Sequence, residues 1–221
     1  MEDISKIELM AEENSKLALQ EKQLANQSKE VAQLELKRAK TRELLAEKEF
    51  DLTKIKREWA EKKMNLFIQK TEVMKKGILD FSDSDLRTEE EASSYNRRVA
   101  IIQEDLARLH SETAGLEKQI SKVMLNLAKE KIHAAEQRET LSKKQYEYVK
   151  AIKSNQPENK ISNSKTQVDS QKKELSKARK VIVEKEMEIQ DLQNELSDLK
   201  KKLSYKLSER EKIRHTGHPS E

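Results

Sequence analysis

The chain has no cysteine, which removes any disulfide framework or thiolate metal site and fits a reducing compartment. It holds only three Gly and two Pro in 221 residues. Compact domains built from many short elements need clusters of turn-forming residues, and such clusters are missing over long stretches here. Aromatic residues make up 4%. No stretch approaches the roughly 18 consecutive apolar residues of a membrane-spanning helix, so no membrane insertion is expected. The acidic start, Met1-Glu2-Asp3, lacks the apolar run of a secretory signal, and a soluble, cytoplasmic protein is expected. An excess of one charge is also lacking: 45 basic residues face 41 acidic ones, with both signs mixed along the chain. A nucleic-acid binder instead concentrates positive charge on one face.

What is abundant is charge of both signs, 39% of residues, alongside 34% hydrophobic residues. High charge with few aromatics also describes disordered chains. A sustained seven-residue period argues for helices instead, because it keeps one stripe of each helix turned toward a partner helix. Residues Ile161, Val168, Leu175, Ile182, Ile189, Leu196 and Leu203 recur at this interval and are all apolar. The fold class expected is all-α: long, discontinuous helices forming a coiled coil, without a globular domain.

Five punctuation points divide the chain into six expected segments. Residues 1–79 form an N-terminal long helix, free of Gly and Pro as far as Lys76. Its stripe runs Met10, Leu17, Leu24, Val31, Arg38, Leu45, Leu52, Trp59, Leu66 and Val73. Beside it stands a ladder of Ala11, Ala18, Ala25, Ala32, Ala39 and Ala46, continued by Ala60 and Phe67. The ladder is expected to reflect helix propensity, in which Ala ranks first, rather than contact. Residues 80–88 form an acidic, hydroxyl-rich hinge, with a new helix capped by Thr88 and Glu91. Residues 89–153 make a central coiled-coil helix, and 154–160 a linker around Pro157. Residues 161–213 form a C-terminal coiled coil, and 214–221 a disordered tail. The heptad phase slips across the linker, so the two flanking seams are expected to pack separately; the linker also permits the last helix to fold back on the central one.

The candidate self-association or partner seam consists of Val99, Ile102, Leu106, Leu109, Leu116, Ile120, Val123 and Leu127 in the central segment. In the last segment it consists of Leu175, Ile182, Ile189, Leu192, Leu196, Leu199 and Leu203. In a parallel dimer, charges flanking the second seam would pair Glu174 with Arg179 and Glu195 with Lys200. In the central seam Glu112 would face Glu117 and repel. The partner is therefore expected to be a second copy or a different coiled-coil chain.

No pattern names a reaction. There is no Gly-rich phosphate loop, and a coiled coil offers no cleft for paired carboxylates; neither an enzyme nor a cofactor is expected, and no small-molecule substrate. His215 and His218 stand three apart in the tail without a third ligand, too few for a metal centre. Lys37, Arg38, Lys40 and Arg42 form a basic cluster, and Lys143, Lys144, Lys150 and Lys153 surround Tyr146 and Tyr148. Basic residues among aromatics can hold single strands, but Glu43, Glu47 and Glu147 interrupt both patches, which disfavours nucleic acid. Trp59, Phe67 and Phe81 are expected in the helix seam, the alternative being anchors for another protein. Ser82 and Ser84 lie in an acidic context suited to an acidophilic kinase.

In pattern the chain resembles coiled-coil cytoskeletal and centrosomal proteins, and equally the rod parts of kinetochore or meiotic chromosome proteins. The resemblance covers nearly the whole chain and rests on heptads. It implies a structural, protein-binding, oligomeric molecule: a scaffold or spacer in a microtubule-based structure, with a nuclear adaptor as the alternative.

Overall fold

The computed structural model describes residues 4–77 and 83–216. Every element among them is helical: α1 spans Ile4–Lys75, α2 Asp83–Lys153 and α3 Glu158–Thr216. Absence of Gly and Pro lets α1 run without interruption. It ends where Gly77 takes a left-handed backbone, φ +73°, and Gly77 N–H donates to the Met74 carbonyl at 2.8 Å. A glycine at this position closes a helix without a Cβ clash.

The turn after α2 is built as the sequence suggests, with a detail that was not foreseen. Asn155 adopts φ +48°. Its N–H donates to the Ile152 carbonyl at 3.0 Å, and Gln156 N–H donates to the Ala151 carbonyl at 3.1 Å. This paired pattern is a Schellman closure, with asparagine where glycine is commoner. Pro157 then serves α3: its carbonyl accepts from Lys160 N–H at 2.9 Å, while its own missing N–H is not needed at a helix start. The proline therefore caps the next helix instead of sitting within a longer linker.

At the other boundary α2 begins at Asp83, five residues ahead of the expected cap at Thr88. The Thr88 hydroxyl donates to the Ser84 carbonyl at 3.0 Å, one turn back, as an interior helical threonine does. Residues 80–82 of the expected hinge, with Ser82 and Phe81, lie outside the described residues, as does His218 of the tail.

The helices pack on one another in two compact units. One comprises residues up to Arg38 with Gln119–Gln193; the other comprises Ala39–Lys118 with residues from Asn194 onward. In the first unit α1 and α2 run antiparallel, since Glu8 meets Lys153, Ala11 meets Ser142, Asn14 meets Gln145 and Glu21 meets Arg138. The third segment returns along α2. Ala134, Leu141 and Tyr148 of α2 form a buried cluster with Val168, Leu175 and Ala178 of α3, and Ile7 of α1 packs against its edge. In the second unit the same antiparallel order holds, with Glu43 against Lys118, Arg57 against Glu104 and Lys70 against Glu89. Glu117 ties all three segments there, lying 3.2 Å from Arg42 and 3.9 Å from Lys200.

The surface that joins α1 to α2 is made of small side chains. Ala11, Ala18, Ala25 and Ala32 are buried in the first unit, as are Ser121, Ala128, Ala135 and Ser142 of α2. The Ser142 hydroxyl donates to the Ala11 carbonyl at 2.8 Å. Counting by sevens from that bond places Ala18 level with Ala135, Ala25 with Ala128 and Ala32 with Ser121. In the second unit Ala39, Ala46, Thr53 and Ala60 are buried, and so are Ala100, Ala107 and Ala114. Two small-residue ladders facing each other bring helix axes toward the short end of the 8–10 Å range of packed helices. The α1 ladder is thus a contact surface, contrary to the expectation that it reflects propensity alone. Its α2 counterpart is the seven-residue repeat that a search for large apolar residues passes over.

Candidate interaction face of the first helix

Packing α1 through its alanines has a geometric consequence. Each ladder residue except Ala39, which follows Arg38, is preceded by a large apolar member of the stripe, and adjacent residues on a helix point about 100° apart. With the ladder turned to α2, the stripe is turned to water. In the first unit Met10, Leu17, Leu24 and Val31 are exposed, Leu24 at 63%. In the second unit Leu45, Leu52, Trp59 and Leu66 are exposed, at 60–65% each, and Val73 follows them. Single exposed apolar residues are ordinary on a protein surface. A seven-residue series of them within each unit, four in the first and five in the second with Arg38 between the two runs, is not, and apolar surface of this kind marks association sites.

The side chains expected to receive a partner lie elsewhere. In the second unit Ile102, Leu106 and Leu109 are buried, with Val99, Leu116, Leu196, Leu199 and Leu203 half-buried. In the first unit Ile120, Val123 and Leu175 are buried, with Leu127, Ile182, Ile189 and Leu192 half-buried. None is exposed. Leu175 and Ile182 pack with Leu141 and Tyr148 of α2 in the first unit's core, and the burial of the others shows that they are at least partly covered within the chain. The fold-back across Pro157 is the reason. The flanking charges follow: Lys200, expected opposite Glu195 of a second chain, lies near Glu117, and Glu174 pairs with Lys177 at 2.7 Å.

Trp59, expected in the helix seam, is instead 63% exposed, with the Lys62 ammonium 6.0 Å from its ring centroid. This placement is that of a cation over an aromatic face. Phe67 is buried at the end of the ladder. Tyr148 is buried in the first unit's core, whereas Tyr146 is more than one-third exposed. Partial burial raises the Tyr146 pKa above the ordinary tyrosine value, with Glu12 and Glu8 adding to the effect.

Polar groups hold the helices in register within each unit. Asn14 Nδ2 donates to Gln145 Oε1 at 3.0 Å, and Gln171 Nε2 donates to Gln137 Oε1 at 2.6 Å. Arg138, almost fully buried, meets Glu21 at 2.9 Å. In the second unit Arg57 lies 3.0 Å from Glu104 and 3.1 Å from Glu61; both hold its guanidinium still more firmly protonated, Glu104 foremost. Lys206 bridges Glu209 at 2.9 Å and Asp105 at 3.2 Å, and its pKa is raised by Glu209 and then by Asp105. A one-heptad slip would separate such pairs, so they discriminate between registers that the alanines alone leave nearly equivalent.

The basic cluster around Tyr146 is largely neutralised. Lys143 meets Glu139 at 2.7 Å, Lys144 meets Glu147 at 2.9 Å and Lys153 meets Glu8 at 2.7 Å. Lys143 in turn lowers the Glu139 pKa below the ordinary glutamate value, by hydrogen bonding first and charge second.

In the first unit an open groove of about 540 Å³ lies beside the stripe, lined by Leu24, Val31, Met124, Leu127 and Ile189, with the Lys131–Glu186 ion pair at its rim. Among the described residues no group of three or more His, Cys, Asp or Glu side chains is arranged to hold a metal ion, and no helix is long and apolar enough to cross a membrane.

The exposed stripe was legible in the sequence as a strict repeat. Its exposure was not, because that depends on which of two adjacent heptad positions meets α2. No family model, curated protein or solved structure matches the chain.

Proposed function

We propose that this chain is a non-enzymatic helical scaffold that associates with other protein chains by helix–helix contact, through the apolar stripe of α1. The observation that carries the reading is the stripe itself: large apolar side chains at seven-residue intervals on either side of Arg38, exposed while the seam residues of α2 and α3 are buried or half-buried. Full burial of one such Leu side chain against a partner is worth about 1.5–3 kcal/mol, and this gain is unrealised in the isolated chain. A seven-residue repeat is also the pattern read by another helix, since it follows one side of a gently supercoiled pair.

The proposal keeps the cytoskeletal setting suggested by the heptad resemblance, in a microtubule-based structure, and treats the molecule as a spacer that holds components together. The nuclear, nucleic-acid-contacting reading is the alternative: ion pairs engage Lys143, Lys144 and Lys153, and Lys37, Arg38 and Lys40 lie exposed on α1.

A photo-cross-linking amino acid placed at Leu52 in cells tests the reading, with Glu47, exposed on a different side of α1, as control. Protein adducts from position 52 and none from 47 are expected. Absence of any protein adduct from Leu52, with the chain expressed and helical, would overturn the scaffold proposal. Co-localisation of the tagged chain with microtubule-based structures tests the setting separately.

A further inference from the structure

Two charged edges flank the second unit's stretch of the stripe, and they have opposite signs. One residue before Leu52, Trp59 and Val73 stand Asp51, Glu58 and Glu72, with Leu44 and Asn65 before Leu45 and Leu66; four residues after Leu52, Trp59 and Leu66 stand Lys56, Lys63 and Lys70, with Glu49 after Leu45 and Gly77 after Val73. Asp51, Glu58, Lys56 and Lys63 are all exposed. Lys70 is drawn to Glu89 of α2 at 2.7 Å, which shows that the basic edge lies on the side nearer the packed face. An apolar seam with one acidic and one basic edge is complementary to itself in one orientation only. Two such helices laid parallel bring the acidic edge of each against the basic edge of the other. Laid antiparallel, they bring acid against acid and base against base.

Resting on the reading that the stripe is an association surface, we infer that its occupant is a second copy of this chain. The two α1 helices lie parallel and in register along Leu45, Leu52, Trp59 and Leu66. In a parallel pair each residue preceding a stripe position faces the residue five further on in the other chain. This sets Asp51 against Lys56 and Glu58 against Lys63, both attractive; Leu44–Glu49 and Asn65–Lys70 add no like-charge contact. The alternate seam positions are Lys48, Ile55 and Lys62. Their two lysines are accommodated by local partners: the Lys48 ammonium lies 3.7 Å from Asp51 of its own helix, and the Lys62 ammonium lies over Trp59. Long lysine stems cover apolar surface while the charged ends reach water. This seam lies on a different side of α1 from the alanine ladder, so pairing leaves the contact of α1 with α2 intact.

The absence of natural cysteine makes the test direct. The full chain carrying Leu52→Cys, oxidised at low concentration, is expected to give a disulfide-linked dimer. Matching seam positions of a parallel pair bring Cα atoms within the bridgeable range of about 4.4–6.8 Å; Glu47→Cys is expected to stay unlinked. Sedimentation equilibrium of the unmodified chain is expected to show a reversible dimer, and Leu52→Lys with Trp59→Lys to weaken it about a hundredfold or more with unchanged helicity, since both residues are exposed in the single chain. A dimer in which Leu52→Cys fails to link while Glu47→Cys links would overturn the parallel seam. A strictly monomeric chain would overturn the second copy. If that monomer still gives adducts from Leu52 with a different protein in cells, the scaffold reading stands and only the identity of the occupant fails.

Discussion

A single methyl group is the unit from which the α1–α2 contact is made. Ala25 and Ala128 stand level in the first unit and are both buried, so each contributes little area but permits close approach of the two backbones. Enlarging either residue leaves nowhere for the added atoms except between the helices. Ala25→Leu is therefore expected to destabilise the first unit by about 1–3 kcal/mol, the ordinary range for overpacking. Its neighbour gives the opposite result: Leu24→Ala removes a largely exposed side chain, and its effect is expected to stay within about 0.5 kcal/mol. Urea denaturation followed by helical signal separates the two. Equal midpoints for both variants would mean that the ladder is not the packed face.

At the scale of the element, the informative places are ends rather than middles. The α2 terminus depends on Asn155 in the left-handed region, at φ +48°. Asparagine tolerates that conformation and glycine adopts it freely, whereas a β-branched residue is strained there. Asn155→Gly is expected to be neutral or slightly stabilising, and Asn155→Val to cost about 1–2 kcal/mol, read as a difference in melting midpoint. The effect should extend to Val168 and Leu175, because their contact with Tyr148 and Leu141 requires α3 to return along α2. The boundary itself was readable from Pro157. Its closure by Asn155 was not, because a polar segment before proline fits an open linker as well as a Schellman turn, and the return of α3 selects the turn.

For the whole molecule the question is which ends of which helices are near each other within one chain. Carbodiimide joins a lysine to a carboxylate only when they already touch. It is expected to link Lys22 to Glu136 and Lys131 to Glu186 in the first unit, and Lys118 to Glu43 in the second, since these pairs lie 2.6–3.3 Å apart. Mass spectrometry of the linked peptides should give the same yield at high and low protein concentration. Yields that fall on dilution would show that the contacts are made between chains, and the fold-back would be wrong.

Much of this organisation follows from the sequence alone. Helicity follows from the near absence of Gly and Pro, from high helix propensity and from a seven-residue period sustained in every segment. The break at Pro157 and the apolar character of the α2 and α3 seams follow on the same grounds. What required the tertiary structure was the assignment of partners to faces. A heptad specifies that a stripe meets a helix, but it is silent on whether that helix belongs to the same chain. On α1 it offered two candidate faces, one of leucines and one of alanines, and hydrophobicity alone favours the leucines. The small residues of α2, from Ala100 through Ala135, reverse that choice by providing a surface that only another small-residue face can approach closely. Burial depends on the shape of both partners together, whereas hydrophobicity belongs to one residue at a time. For that reason the period could be read from the chain, while the side of α1 that faces water was decided by the packing.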